Sequence, residues 1–126
     1  MGQRLSTGAV DILAANFSYV AWAPSTGKRA IIRKIMWYNN TGAAGYLRIG
    51  YLTLGAVFTQ VLPNILMVNL ADGELGEAEI PITGNTREGF YPDTTAGTGT
   101  LGNIIVQGTV GGAAPTCRVT MEIEEE

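Results

Sequence analysis

The residue types that most often carry out catalysis are scarce in this chain. Its 126 residues include no histidine and one cysteine, Cys117. A catalytic triad that needs histidine is therefore excluded, as are histidine-ligated metal sites, and a single thiol cannot build a thiolate metal site. The chemistry that remains belongs to carboxylates, aromatic rings and basic side chains. We expect no catalytic residue and no cofactor.

A turn-like segment holds a group of carboxylates that contains Asp72, Glu74 and Glu77. Oxygen ligands this close together in a turn could bind Ca²⁺. The segment lacks the alternating ligands and the terminal Glu of an EF-hand, and a solvated acidic turn is the alternative. These three residues are the calcium candidates, and no other metal site is expected.

A long polar segment, residues 84–99, holds the aromatic pair Phe90 and Tyr91. Loops of this length are uncommon in small domains unless they function or are disordered. The two rings could stack on a sugar, insert into a neighbouring subunit, or fold back and cap the core of the domain. Glu88 and Asp93 lie beside them, and paired carboxylates can hydrolyse glycosides, but nothing in the sequence predicts a cleft.

Charge is divided unevenly along the chain, whose net charge is −3. Residues 1–63 contain six basic residues and one acidic residue, whereas residues 64–126 contain two basic and ten acidic residues. The two halves could pair within one molecule, or a basic patch of one copy could meet an acidic patch of the next. Nucleic-acid binding is the third and least favoured interpretation of this charge pattern. The basic cluster of Lys28, Arg29, Arg33 and Lys34 is short, and the chain is acidic overall.

Short apolar runs bounded by Gly, Pro, Asn or Asp predict about eight β-strands and no helix. They cover residues 17–23, 29–39, 46–54, 56–62, 65–70, 77–83, 100–110 and 117–123. Residues 7–15 could form a strand or one helical turn, and we favour a strand. The spacing predicts one domain over residues 1–126, an antiparallel, jelly-roll-like β-sandwich, with residues 123–126 as a frayed acidic tail.

Two of these strands have informative side-chain patterns. The last strand alternates, so that Cys117, Val119, Met121 and Ile123 should share one face. The strand over residues 29–39 has large apolar groups on both faces, which predicts a central strand or one at a subunit contact. We place Ile31, Ile35 and Trp37 on one of its faces and Ile32, Met36 and Tyr38 on the other. Core packing is the expected role of Trp37, with a subunit contact as the alternative.

The stretch from residue 17 to residue 51 resembles small all-β structural proteins of the virions of tailed phages and related viruses. It consists of an aromatic strand over residues 17–23, the turn Pro24-Ser25-Thr26-Gly27-Lys28-Arg29, a strand over residues 30–38, the loop 39–44 and a strand over residues 46–51. The acidic strand at the C-terminus is similar too. The resemblance implies a β-sandwich that decorates a capsid or sits on a tail, usually as a trimer or another symmetric assembly.

The sequence therefore predicts a non-enzymatic structural protein, a virion decoration (cement) or tail-associated subunit. Only 15% of its residues are charged, which favours a surface partly covered by other subunits. We expect it to bind itself, with a trimer favoured, and a larger protein shell, but no membrane. The interface candidates are Phe90, Tyr91, Trp37, Arg33, Lys34, Lys28 and Arg29.

The alternative function is a carbohydrate-binding module that uses the aromatic pair of residues 84–99, with or without Ca²⁺. No signal peptide and no apolar stretch of membrane-spanning length is found in the sequence. The expected location is therefore the virion, or the cytoplasm if the protein is not viral.

Overall fold

A computed structural model of the chain describes residues 3–25, 28, 30–53, 57–70, 76–79, 103–113 and 116–125. Within these ranges the chain forms ten β-strands and no helix, which confirms the all-β prediction. The strands are β1 (Gln3–Ser6), β2 (Val10–Asp11), β3 (Tyr19–Trp22), β4 (Ala30–Asn39), β5 (Gly45–Thr53), β6 (Val57–Gln60), β7 (Ile65–Met67), β8 (Gly76–Glu79), β9 (Ile104–Gly108) and β10 (Cys117–Glu125). In this part of the chain, no helix exists that could cross a membrane.

The strands form two antiparallel sheets that share one core. Sheet A has the order β1-β10-β4-β8, and β2 also pairs with β10. Sheet B has the order β3-β9-β5-β6, and β7 also pairs with β5. Buried side chains of both sheets, such as Ile35 and Val119 from sheet A and Ile49 and Val106 from sheet B, belong to a single hydrophobic cluster. The architecture is a β-sandwich.

The alternation predicted for the last strand is confirmed. In β10 every second residue from Cys117 to Glu125 is buried, and the residues between them are only partly buried. This period of two is what a strand with one face on the core requires. All eight predicted strands are present within the described residues; β3, β6, β7 and β9 are shorter there than predicted, and β10 is longer.

Strand β4 departs from simple alternation because it contains a β-bulge. Lys34 lies opposite Glu122 of β10, but Ile32 lies opposite the next residue, Ile123, which leaves Arg33 as the extra residue. A bulge of this kind adds one residue to one strand and changes which face the following side chains take.

The bulge corrects the predicted faces of β4. Ile32 and Ile35 both belong to the core cluster, together with Trp37. Ile31 is buried but lies outside that cluster, opposite Glu124 of β10. The prediction that grouped Ile31 with Ile35 is therefore wrong, because the register changes between them.

Each sheet has one edge made of two short strands instead of one long strand. Between β1 and β2, the backbone N–H of Thr7 donates to the Met121 carbonyl (2.9 Å), and the Met121 N–H donates to Thr7 Oγ1 (2.9 Å). Between β6 and β7, the N–H groups of Val61 and Leu62 both donate to the Ile49 carbonyl, at 2.9 and 3.2 Å. The hydrogen-bonded edge therefore continues across each break.

Both ends of the chain differ from the prediction. Residues 7–15, expected as a strand, contain only the two-residue β2 and run into a turn at Asn16, which has a positive φ of 61°. The longer N-terminal strand is β1. Residues 123–125 do not fray, because they are the end of β10 and pair with both β1 and β4.

Candidate interaction surface

The two sheets differ in how much charge their strands carry. The strands of sheet A contain ten charged residues. Within the described residues, the strands of sheet B contain one, Arg48. In the sequence the two halves differ in the sign of their charge. In the fold the two sheets differ in the number of charged residues that their strands carry.

Charges on the outer face of sheet A pair with one another. Arg33 Nη2 lies 3.0 Å from Glu124 Oε2, and Arg118 Nε donates to Asp11 Oδ1. Arg33–Glu124 joins a basic residue of residues 1–63 to an acidic residue of residues 64–126, whereas Arg118–Asp11 joins a basic residue of the second half to the one acidic residue of the first. Of the two arrangements considered for the halves, pairing within one molecule is therefore observed at these positions.

The basic residues proposed as interface candidates lie on or near this charged sheet. Arg33 is held by Glu124, as above, and Lys34 lies in register with Glu122 on one side and Glu79 on the other. Lys28 is exposed, and its backbone N–H donates to the Ser25 carbonyl (3.0 Å). Arg29 lies outside the described residues. The structure thus gives Arg33 an intramolecular role.

Trp37 lies in the core, as expected by default for a tryptophan in a strand. Its side chain is 8% exposed and belongs to the core cluster. Strand β8 passes directly over its ring, because a Cβ atom built on Gly76 would lie 2.2 Å from two ring carbons. Trp37 is therefore not an exposed anchor in the folded monomer.

Several other candidates fall outside the part of the chain that the structure describes. These are Phe90, Tyr91, Asp72 and Glu74. Glu77 lies on β8, but its side chain is not among the described ones. Among the described residues, no group of three or more His, Cys, Asp or Glu is arranged to hold a metal ion.

The outer face of sheet B carries exposed apolar side chains. Val20, Tyr46 and Leu66 point away from the core, and Val68 directly follows β7; their exposed fractions are 42–49%. Tyr46 and Leu66 are directly opposite each other in the β5–β7 pair, so their side chains are neighbours. We call the outer side of sheet B that carries these four residues the apolar face.

Arg48 lies within the apolar face, two residues beyond Tyr46 on β5. Its Nη1 atom is 3.5 Å from Asn16 Oδ1, which is long for a hydrogen bond. Opposite it on β9 lies Gln107, whose Nε2 atom donates to Ser18 Oγ (2.9 Å). No carboxylate of the described residues forms an ion pair with Arg48.

The boundary of the apolar face can be placed on two sides. Ile105 is on the same side of sheet B, between Val20 and Gly50, but it is fully buried, so the chain itself covers that part. On the other side lies the loop before β3, since its Asn16 contacts Arg48. This loop exposes Phe17, whose ring packs on Tyr19 with centroids 5.3 Å apart.

A buried carboxylate joins the two sheets at one end of the sandwich. Glu125 Oε2 accepts hydrogen bonds from Trp22 Nε1 (2.8 Å) and the Ser25 N–H (3.1 Å), and its Oε1 accepts one from Ser25 Oγ (2.8 Å). Burial by itself raises the pKa of Glu125, but these hydrogen bonds and the nearby charge of Lys28 outweigh it and lower the pKa. Sequence reasoning missed this group because it treated the residue as part of a tail.

A buried amide closes the opposite end of the β4–β10 pair. Asn39 Nδ2 donates to the carbonyls of Ala43 and Met67, both at 3.0 Å. Its Oδ1 accepts from the N–H (3.1 Å) and the hydroxyl (2.8 Å) of Thr41. The amide can make four hydrogen bonds and makes all of them, so it joins the loop 41–43 to Met67 of β7 and has no capacity left for a ligand.

The apolar face had a signal in the sequence that strand-by-strand reading overlooked. Residues 49–71 contain no charged residue, and they include all of β6 and β7 and the second half of β5, three strands of sheet B.

No protein-family model matches the chain, and a search of curated proteins finds no match either.

Proposed function

We propose that this protein is a non-enzymatic structural subunit that assembles with copies of itself through the apolar face of sheet B. The observation that carries the proposal is the contrast between the sheets: the strands of sheet A carry ten charged residues and two ion pairs, whereas sheet B exposes Val20, Tyr46, Leu66 and Val68, and its described strands carry one charged residue. The cores of protein interfaces are depleted in charge and rich in aromatic and aliphatic groups. An exposed apolar surface of this kind is typical of a contact site.

The order of the strands supports a jelly-roll arrangement as part of the proposal. If β1 and β2 are counted as one interrupted strand, and β6 and β7 as another, eight strands remain. One sheet then holds the first, eighth, third and sixth strands, and the other holds the second, seventh, fourth and fifth. Double-sheet jelly rolls recur in viral capsid proteins and in lectins.

The setting that we propose is a virion, where the protein would act as a decoration (cement) or tail-associated subunit. The support is the resemblance of residues 17–51 to such proteins, together with the strand order. Both are analogies at the level of the fold, and a fold hosts many functions. The apolar face adds a physical reason for assembly, since adhesion between subunits needs an apolar contact rather than a reactive group.

The first experiment measures the mass in solution by size-exclusion chromatography with light scattering, over a wide range of protein concentration. We expect an oligomer, with a trimer favoured. Val68→Asp, which puts a charge on the apolar face, should shift the protein to monomer. Val57→Asp is the matched control, because Val57 is also exposed but lies on the side of sheet B that faces the core, at the start of β6.

A wild-type protein that stays monomeric at every concentration and binds no assembled shell would overturn the proposal. If such a monomer were retained by a glycan array, and Tyr91→Ala removed the retention, the carbohydrate-binding alternative would replace it.

A further inference from the structure

We infer that the contact on the apolar face is heterologous: Arg48 of one copy pairs with a carboxylate that lies on a different surface of the next copy. The inference rests on the proposed function, because it takes the apolar face to be the contact between copies. It adds the residue that sets the register of that contact and the symmetry that the assembly must have.

Arg48 needs a hydrogen-bond acceptor when the apolar face is covered. A guanidinium taken out of water without a counter-charge is strongly unfavourable, so a stable contact there must supply an acceptor. Asn16 at 3.5 Å is a poor one. Arg33 and Arg118, on sheet A, each have a carboxylate within their own chain. Of the three arginines whose side chains the structure describes, Arg33, Arg48 and Arg118, Arg48 is the one that lacks a carboxylate partner, and it lies on the surface that we propose to be buried.

The carboxylate that pairs with Arg48 comes from the partner copy. The described strands of sheet B contain no Asp and no Glu. In a two-fold (isologous) contact the same patch meets itself, so Arg48 would face apolar side chains or a second Arg48. Neither neutralises its charge. We therefore place the acceptor outside the described strands of sheet B, on another surface of the partner, which makes the contact heterologous.

The charge balance of the chain favours a second copy of this chain as the molecule that covers the apolar face. The chain has eleven acidic and eight basic residues, and ten of the acidic residues fall in residues 64–126. Every copy thus brings surplus carboxylates, which complement the single charge of the apolar face. A heterologous contact closes into a ring when its rotation allows, and such a ring has at least three members; otherwise it grows into a filament.

The test compares two arginines that differ in having a partner within the chain. Arg48→Gln removes the charge from the apolar face, and Arg118→Gln removes a charge from sheet A. Native mass spectrometry would give the number of subunits, and sedimentation velocity the concentration at which they dissociate, with circular dichroism used to confirm folding of each variant. A Tyr46→Ala variant probes the apolar part of the same face.

We expect a wild-type ring of three or more subunits, or a filament, whose association weakens as salt is added. Arg48→Gln should raise the dissociation concentration at least tenfold and remove most of the salt dependence, whereas Arg118→Gln should assemble like the wild type. If Arg48→Gln assembles like the wild type while Tyr46→Ala dissociates, the role of Arg48 is wrong but the proposed function stands. A wild-type dimer overturns the heterologous symmetry alone, and a wild-type monomer overturns both proposals.

Discussion

At the scale of single residues, the sandwich depends on polar groups that are buried with all their partners. Glu125 holds Trp22 and Ser25 to the end of sheet A, and Asn39 holds the loop 41–43 and β7 at the other end of the same strand pair. Buried groups of this kind stabilise a unique arrangement only while every partner is present, because an unsatisfied buried polar atom is unfavourable. Their chemistry is structural.

Glu125 gives the stability of the protein a defined dependence on pH. Because its pKa is lowered in the folded state, the ionised carboxylate contributes stability that is complete above its unfolded-state pKa and is lost as the pH falls through the lower folded-state value. We expect Glu125→Gln to reduce the free energy of unfolding at pH 7 by about 1–3 kcal/mol. Melting temperatures between pH 7 and pH 2 would show this, with a shallower acid limb in the variant.

The control for that experiment is Glu122→Gln, which changes the same residue type on the outer face of the same strand. Its melting curve should retain most of the wild-type loss of stability in acid. If Glu125→Gln and the wild type lose stability over the same pH range and by the same amount, the carboxylate of Glu125 does not have the role assigned to it.

At the scale of elements, strand β8 can pack on the ring of Trp37 because it has a glycine at the contact. Its residue Gly76 lies opposite Trp37, and a Cβ at that position would overlap the indole ring at 2.2 Å. Gly76→Ala should therefore displace β8 or the ring and lower the free energy of unfolding by about 1–3 kcal/mol, as overpacking does. Gly8→Ala is the control, since a Cβ there would meet nothing within 4 Å. Urea unfolding of both variants would test this, and equal stabilities would contradict it.

The strands themselves could be predicted because their apolar and β-branched runs are bounded by turn residues, as in β5 and β10. The bulge at Arg33 could not, since it depends on how β4 pairs with β10 and both alternatives place apolar residues on each face. The N-terminal strand β1 was missed for a similar reason. Its four residues, Gln-Arg-Leu-Ser, have little strand propensity, and pairing with β10 determines their conformation.

At the scale of the whole molecule, the candidate site shows what a linear sequence hides. The excess of basic residues before residue 64 and of acidic residues after it was readable, but not that pairs such as Arg33 and Glu124 would meet on one sheet. Once those charges are placed, the uncharged stretch 49–71 marks sheet B as the sheet whose described strands carry a single charged residue, Arg48. Arg48 could be recognised as a candidate only from the fold, because an arginine is common in a sequence but stands here among apolar side chains.

Assembly through the apolar face should also appear in the stability of the whole protein. A contact that forms only between folded chains stabilises them by mass action, so the melting temperature should rise with protein concentration. We expect this rise in the wild type and in Val57→Asp, and a melting temperature independent of concentration in Val68→Asp. Differential scanning calorimetry over a hundredfold range of concentration would measure it. A wild-type melting temperature that does not change over that range would mean that folding and association are not linked, and the apolar face would then need an occupant other than a second copy.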